Sequence, residues 1–204
     1  DVVSGKSGVD EVRDIDIEDL LGREIVPPNP ELLSACVGGK SVMVTGAGGS
    51  IGSELCRQIV NMNPARVILL DSFEYGLYEI ERELKEKILT IEGVGNIEIV
   101  ALLGSVCNSG YMENAIRNFN VDTVYHAAAY KQVPMVEKNI LEGVQNNIFG
   151  TLVAAEAAKK FEVKNFVLIS TDKAVRPTNF MGATKRFSEQ VLQAIAQKGE
   201  GTKF

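Results

Sequence analysis

An aspartate and a lysine stand side by side at Asp172 and Lys173, directly after the apolar run 165–169. A carboxylic acid can give a proton and an amine can take one, provided that burial raises the pKa of the acid and lowers that of the amine. The apolar run is a predicted strand, and ligands bind at the carboxyl ends of parallel strands. The pair is therefore a candidate acid and base; the alternative is an ion pair on a loop.

Three glycines spaced three residues apart separate the apolar run 41–45 from a predicted helix. Glycine permits a tight turn and close approach of the backbone to a ligand, and the first amides of a helix attract phosphate. This strand, turn and helix predict a dinucleotide site; the alternative is a tight turn without a ligand. The residues predicted to bind are Gly46, Gly49, Ser50, Ile51 and Gly52.

Asp71 follows the apolar run 66–70 and lies 19 residues after Gly52. An acid at this position accepts a hydrogen bond from the adenosine ribose and repels a 2′-phosphate. The predicted cofactor is therefore NAD, with NADP disfavoured. The alternative is that Asp71 is a solvated loop acid.

Five short apolar runs rich in valine and isoleucine alternate with segments of helical periodicity. Strands of this kind, joined by helices, indicate a parallel sheet that is covered on both faces. The predicted fold class is α/β, with a doubly wound parallel sheet of the NAD-binding Rossmann type. The strands are predicted at 41–45, 66–70, 97–101, 122–126 and 165–169, and the helices at 51–61, 75–90, 109–118, 135–160 and 181–197.

The composition is that of a folded domain, because 45% of the 204 residues are hydrophobic and 24% are charged. Residues 1–40 hold nine acids and four bases, which leaves 18 acids and 17 bases in the rest of the chain. Without a clustered basic face, nucleic acid is disfavoured as a partner. Cys36, Cys56 and Cys107 are odd in number and form no CxxC pair, which argues against disulfides and a metal site and favours a reducing cytosol.

Residues 1–39 are predicted to form an acidic leader or linker, and residues 40–204 the dinucleotide-binding domain. A short helix is expected over 10–21, ended by the prolines at 27, 28 and 30. No apolar run reaches the roughly 18 to 20 residues that a membrane-spanning helix needs. Because the chain begins at Asp1 without a methionine or a signal pattern, we expect it to be a piece of a longer protein.

Further sequence motifs occur in order along the chain, at 45–52, 126–134, 147–151, 170–179 and 181–185. Together they resemble the extended short-chain dehydrogenase/reductase superfamily and, within it, the polysaccharide-biosynthesis branch typified by UDP-N-acetylglucosamine 4,6-dehydratases. The leader segment 14–24 resembles the one that precedes the catalytic domain in the long, membrane-anchored members. The resemblance covers nearly the whole chain and implies a cytosolic domain whose parent protein is anchored in the inner membrane.

The resemblance also implies roles for single residues. The strand end that starts at His126 lines the dinucleotide through Ala127 and Ala128, and a structural or cofactor-facing role is expected for the histidine itself. Lys131 and Asn179 are implied as substrate contacts, and the alternative for Lys131 is a solvated loop lysine.

One departure from the superfamily concerns its Tyr-x-x-x-Lys pair, in which the lysine lowers the tyrosine pKa so that the phenolate takes a proton from the substrate hydroxyl. Here Met181 stands four residues before Lys185, as in the long dehydratases, and a thioether cannot transfer a proton. Lys185 is expected to remain in the cofactor and catalytic site. The candidates for taking the proton are Thr171, Asp172 or an ordered water near Lys185.

The reaction that the resemblance implies is an NAD-dependent elimination of water from a UDP-N-acetylhexosamine, in the first place UDP-N-acetylglucosamine. The fourth carbon is oxidised, water leaves across the fifth and sixth carbons, and the hydride returns to the sixth. Asp172 and Lys173 are the acid and base of the water loss, and the 4-keto-6-deoxy product serves bacterial polysaccharide or protein glycosylation. The alternatives are a sugar-nucleotide epimerase of the same superfamily and a non-catalytic NAD-binding module.

The superfamily continues after the helix at 181–197 with another strand and a small substrate-binding lobe. We therefore expect a domain truncated before that lobe, able to bind the cofactor but inactive by itself. An open edge at the fifth strand favours self-association into a homo-oligomer.

Overall fold

The structure, a computed structural model, describes residues 30–90, 96–197 and 201–204, with side chains from Ser34 onward. The helix predicted over 10–21 lies outside these residues. The compact unit that holds the sheet is Glu31–Phe204. Within the described ranges, no helix combines the length and the apolar character needed to cross a membrane.

The sheet contains five parallel strands, and all five were expected from the apolar runs of the sequence. Their bounds are Ser41–Thr45 (β1), Arg66–Asp71 (β2), Glu98–Leu103 (β3), Thr123–His126 (β4) and Asn165–Leu168 (β5). The spatial order is β3-β2-β1-β4-β5, which is that of the Rossmann fold. Thr45 lies beside Leu70 on one side and His126 on the other, so three strand ends meet at one edge.

Helices connect the strands in the order expected of a doubly wound sheet. They are Pro30–Val37 (α1), Ser50–Val60 (α2), Glu74–Ile88 (α3), Ser109–Asn118 (α4), Val133–Lys138 (α5), Ile140–Gly143 (α6), Gly150–Lys160 (α7) and Phe180–Ala196 (α8). A π-helical segment, Val144–Phe149, precedes α7, and a 3-10 turn, Asp172–Ala174, follows β5.

The single helix predicted over 135–160 is wrong, because the backbone leaves the helical conformation at Asn139 with φ −136° and ψ 56°. The Asn139 side chain donates to the carbonyl of Met135 at 2.9 Å. Asparagine competes in this way with the helical hydrogen bonds of the backbone. The chain is helical on both sides of this break, as α5 up to Lys138 and as α6, the π-helical segment and α7 from Ile140 to Lys160.

Alternate residues of each strand face opposite sides of the sheet, and each side carries its own core. On one side, strand residues pack with α1, α2 and α3; these residues are Val42, Val44, Val67 and Leu69. On the other side, Met43, Ile68 and Leu70 pack with α4, α7 and Leu192 of α8. Coverage of both faces confirms the doubly wound architecture.

Helix α1 packs on the sheet, although the sequence places residues up to 39 in the leader. Val37 is fully buried, and the Thr123 hydroxyl donates to the Cys36 carbonyl at 2.7 Å. These contacts join residues far apart in the chain, which a local pattern does not reveal. The boundary predicted at 39/40 lies inside the compact unit that begins at Glu31.

The outer edge of β5, expected to be open, is partly paired. Lys203 forms a parallel bridge with Asn165, and the Phe166 amide donates to the Lys203 carbonyl at 2.8 Å. The Phe204 ring packs on Phe166 with 5.5 Å between the centroids. The start of β5 is thus covered by residues 203 and 204.

Candidate active site

The glycine turn, residues 46–49, joins β1 to α2 and packs closely against neighbouring backbone. Gly46 has φ +71°, and a Cβ there would lie 2.6 Å from the Ala128 amide nitrogen. A Cβ on Gly52 would lie 1.9 Å from the Gly46 carbonyl oxygen. Gly49 is the N-cap of α2 and gives it no side-chain cap. The first amides of α2, which include those of Ser50 and Ile51, are therefore available to an anion.

Asp71 reaches from the end of β2 to the glycine turn. Its Oδ2 accepts a hydrogen bond from the Gly48 amide at 2.8 Å, and its Oδ1 accepts one from the Phe73 amide at 2.9 Å. A carboxylate has about four acceptor sites, so Asp71 can still accept from a ribose hydroxyl.

A cavity of about 160 Å³ connects these parts of the site. It brings together five of the residues predicted to bind the cofactor: Gly46, Gly49, Asp71, Ala127 and Ala128. Its walls are mainly small residues and backbone at the carboxyl ends of β1, β2 and β4, which is where a parallel sheet of this strand order binds its ligand. The other four predicted residues do not line it: Ser50, Ile51 and Gly52 belong to α2, and Lys185 belongs to α8.

His126 is fully buried under this cavity. One ring nitrogen lies 2.7 Å from the Thr45 hydroxyl and the other 3.1 Å from the Thr151 hydroxyl. Burial, with the Lys185 charge adding to it, lowers the pKa of His126 to about 3. The ring is therefore neutral at physiological pH and acts as a structural link between β1, β4 and α7.

Asn147 is a buried residue for which the sequence suggested no separate role. Its side chain accepts from the Tyr130 amide at 2.8 Å and donates to the Tyr130 carbonyl at 3.0 Å and to the Thr184 hydroxyl at 2.9 Å. One amide group thus holds the loop after β4 against α8. Asn147 lies in the π-helical segment, and such segments are frequent at functional sites, but the sequence carries no signal for a π turn.

Met181 and Lys185 occupy the buried face of α8, one helical turn apart. The Lys185 ammonium donates to the Ile169 carbonyl at the end of β5. Burial lowers the pKa of Lys185 to about 8, and the nearby Glu189 carboxylate opposes the shift. Lys185 is therefore a largely protonated cation at neutral pH, whereas the Met181 thioether offers no proton.

Thr171, Asp172 and Lys173 form a small hydrogen-bonded group at the end of β5. The Thr171 hydroxyl donates to Asp172 Oδ1 at 3.0 Å and accepts from the Lys173 amide at 3.3 Å. Lys173 Nζ lies 3.7 Å from Asp172 Oδ1, and the two side chains are 53% and 78% exposed. Among the residues that the structure describes, nothing gives Asp172 and Lys173 the burial that the sequence-based prediction requires, and the 3-10 turn buries only Ala174.

Asn179, expected to contact substrate, is the N-cap of α8. Its side-chain oxygen accepts from the Gly182 amide at 2.7 Å. A Cβ on Gly182 would lie 2.3 Å from the Lys173 carbonyl oxygen, so the first turn of α8 touches the backbone of the acid-base turn. Sequence reasoning gave Gly182 no such role, since the contact depends on how the two segments pack.

Lys131 is exposed, and its ammonium donates to the Ser50 hydroxyl at the start of α2. It also lines a larger cavity of about 490 Å³, formed with residues of α5 and α6. The two cavities share Ala129 and Tyr130 as a common wall. Lys131 therefore lies where the glycine turn and the larger cavity meet.

The strand order, the glycine turn and the acid at the end of β2 define a dinucleotide-binding domain of the extended short-chain dehydrogenase/reductase type. Residues 42–204 match the model of the family described as polysaccharide biosynthesis protein. The chain belongs to this family, which confirms the resemblance drawn from the sequence.

Named relatives agree with this assignment. The chain is 44% identical over its whole length to the capsular polysaccharide biosynthesis protein CapD of Staphylococcus aureus and spans 33% of that protein. It is 33% identical to a UDP-glucose 4-epimerase of Rickettsia canadensis, with 78% of this chain and 44% of that protein aligned. It is 31% identical to an inverting UDP-N-acetylglucosamine 4,6-dehydratase of Campylobacter jejuni, with shares of 76% and 43%.

Solved structures share the fold. Pen from Bacillus thuringiensis is 30% identical with a TM-score of 0.73, and the match covers 83% of this chain and 51% of that one. A UDP-glucose 4-epimerase from Bifidobacterium longum in complex with NAD+ and UDP is 24% identical with a TM-score of 0.64, covering 78% and 49%. Because the identity to this epimerase is only 24%, the similarity shows a shared fold and nothing more.

Proposed function

We propose that the chain supplies the cofactor site and the proton-transfer groups of an NAD-dependent enzyme that modifies nucleotide sugars for polysaccharide biosynthesis. The proposed reaction is the 4,6-dehydration of UDP-N-acetylglucosamine. The observation that carries the proposal is the group at the end of β5, where an acid and a base 3.7 Å apart stand beside a hydroxyl. Loss of water needs one proton taken and one given, and these three side chains can do both.

The cofactor is held by backbone at one end and by a carboxylate at the other. The amides after Gly49 at the start of α2 bind the pyrophosphate, and Asp71 accepts from the adenosine ribose. Ala127 and Ala128 leave room for the dinucleotide along the cavity. When bound, NAD supplies a reversible acceptor for the hydride of the sugar.

Thr171 takes the place of the absent tyrosine in moving the first proton. Its hydroxyl already donates to Asp172 Oδ1, so a proton accepted from the sugar hydroxyl can pass to the Asp172 carboxylate. The positive charge of Lys185 favours negative charge developing on the oxygen, because the pKa of about 8 keeps the ammonium protonated at neutral pH. Met181 contributes only packing, because its thioether cannot transfer a proton.

Asp172 and Lys173 then carry out the remaining proton transfers. Asp172 gives the proton it has received to the departing hydroxyl of the sixth carbon, and Lys173 takes the proton from the fifth carbon. Lys173 returns its proton to the fifth carbon when the hydride reaches the sixth, so one molecule of water is the net loss. For this order of transfers, Asp172 begins as the carboxylate and Lys173 as the neutral amine.

A 4-epimerase is the second candidate, because the chain is as similar to a curated epimerase as to a curated dehydratase. Epimerisation moves a hydride away from and back to the same carbon and needs no acid for a leaving hydroxyl. The adjacent Asp172 and Lys173 therefore favour the dehydratase.

The test is incubation of the full-length protein with UDP-N-acetylglucosamine, followed by mass spectrometry of the nucleotide sugar. A dehydratase gives a product lighter by one water. An epimerase gives an isomer of unchanged mass with new sugar resonances in NMR. Unchanged substrate together with measurable NAD binding identifies a non-catalytic module and contradicts the proposal.

A further inference from the structure

Helix α3 begins against the glycine turn with no side chain between the two backbones. A Cβ on Gly76 would lie 2.5 Å from the Gly48 carbonyl oxygen. A Cβ on Gly48 would lie 2.7 Å from both the Gly76 carbonyl carbon and the Leu77 amide nitrogen. Real Cβ atoms do not approach other atoms so closely, so this packing requires glycine at both positions.

The Asp71 carboxylate spans the same junction. One oxygen accepts from the Gly48 amide on the turn, and the other accepts from the Phe73 amide at the start of α3. The Phe73 carbonyl in turn accepts from the Leu77 amide at 3.0 Å within α3. The position and orientation of the carboxylate therefore depend on the separation between the turn and the helix.

We propose that Gly76 is a positioning residue that sets cofactor discrimination through Asp71. Because Gly76 has no side chain, α3 lies close enough to Gly48 for one carboxylate to bond both segments. Asp71 is then fixed where it accepts from a ribose 2′-hydroxyl and repels a 2′-phosphate. The inference rests on the dinucleotide binding proposed above and adds a residue that does not itself touch the cofactor.

A methyl group at position 76 has two obstacles, and they can be separated. It would overlap the Gly48 carbonyl oxygen, and it would also lie 2.5 and 2.6 Å from two carbons of the Phe73 ring. The ring can turn away, since Phe73 is exposed, but the Gly48 carbonyl belongs to the turn. Phe73→Ala therefore removes the contact with the ring and leaves the overlap with the Gly48 carbonyl oxygen.

The experiment compares Gly76→Ala with Gly110→Ala in the full chain by calorimetric titration with NAD and with NADP. Gly110 also lies in the first turn of a helix, and a Cβ there would meet only Asn108 Oδ1 at 3.8 Å. We expect Gly76→Ala to weaken NAD binding by about 10- to 100-fold, the effect of losing a hydrogen bond to a charged group. NADP binding should weaken less, so that the preference for NAD falls, while Gly110→Ala leaves both affinities unchanged.

Three further variants separate positioning from loss of stability. Leu77→Ala removes a buried side chain from the same helix turn; it should lower the unfolding temperature but keep the ratio of NADP to NAD affinity. Gly48→Ala should change that ratio as Gly76→Ala does, and so should Gly76→Ala combined with Phe73→Ala. These two variants replace Gly76→Ala in the experiment if Gly76→Ala alone folds poorly.

An unchanged ratio of NADP to NAD affinity in these folded variants overturns the inference, whereas the proposed dinucleotide binding is unaffected. An unmodified chain that binds neither cofactor overturns the proposed function, and the inference with it.

Discussion

At the glycine turn, backbone packs against backbone and both oxygens of Asp71 are held by amides, whereas the Asp172 and Lys173 side chains after β5 are mostly in solvent. Both regions lie at carboxyl ends of strands in one sheet. The first is complete within the described residues, since every contact that shapes it comes from β1, β2, β4, α2 and α3. In the second, Asp172 and Lys173 are close to each other but are mostly exposed within the described residues. The same sheet thus carries one closely packed region and one open region at its carboxyl edge.

The largest expected effect tests whether the exposed region is the catalytic one. In the full-length protein, Asp172→Asn and Lys173→Met should each lower turnover by about 10²- to 10⁴-fold, because each removes a proton-transfer group. NAD affinity should be unchanged, since neither residue lines the cofactor cavity. Lys138→Met, an exposed lysine at the end of α5, is the matched control for loss of a positive charge. Wild-type turnover in both variants would assign the proton transfers elsewhere.

Substitutions of Gly52 and Gly49 test how closely the backbone of the glycine turn is packed. Gly52→Ala should lower the free energy of unfolding by about 1–3 kcal/mol and weaken NAD binding, because its methyl overlaps the Gly46 carbonyl oxygen. Gly49→Ala is the milder partner, since a Cβ there meets that oxygen at 3.3 Å. Denaturant unfolding and NAD titration measure both. Equal losses in the two variants would mean that backbone contact does not shape the turn.

Substitutions of Asp71 test whether the region around the glycine turn selects NAD over NADP. Asp71→Ala should weaken NAD binding by about 10- to 100-fold, as expected for a lost hydrogen bond to a charged group. It should also reduce the preference for NAD over NADP, because the repulsion of a 2′-phosphate is lost. Asp71→Asn keeps an acceptor without the charge and separates the two effects in the same titration. Equal affinity for NAD and NADP in the unmodified protein would remove the basis for this role.

A pair of substitutions tests the proton route beside Lys185. Thr171→Val should lower turnover about tenfold or more by removing the hydroxyl that donates to Asp172. Met181→Ala should act on the free energy of unfolding, by roughly 2–5 kcal/mol for a buried side chain, and change turnover less. Steady-state kinetics at a temperature where both variants are folded gives the ranking. The reverse ranking would exclude Thr171 from the relay.

The smallest effect at neutral pH concerns His126, which is fully buried between Thr45 and Thr151. Its folded pKa of about 3 is lower than its ordinary value of 6.5, so the unfolded chain binds the proton more readily. His126 therefore costs no stability above about pH 6.5 and makes folding less favourable as the pH falls from 6.5 towards 3. His126→Gln should show a shallower loss of unfolding free energy over that interval in denaturant titrations. The same slope in both proteins would contradict the neutral buried ring.

The strands, the glycine turn and Asp71 were predictable because their signals are local. A valine-rich run, a glycine spacing and an acid at a strand end each occupy a few neighbouring residues. The break at Asn139 and the network of Asn147 were not predictable, since they depend on partners elsewhere in the chain. The exposure of Asp172 and Lys173 belongs to the same class: adjacency in sequence indicates that an acid and a base are close, and says nothing of what covers them.

The Asn147 side chain has a consequence for solvent exchange. Tyr130 is 49% exposed, yet its amide donates to the oxygen of the buried Asn147 side chain, whose nitrogen donates to the Thr184 hydroxyl of α8. Deuterium can replace this amide proton only when the loop separates from the π-helical segment, so exchange there is slow for a surface loop. Its rate in the presence and absence of NAD would report how often the loop after β4 and helix α8 come apart.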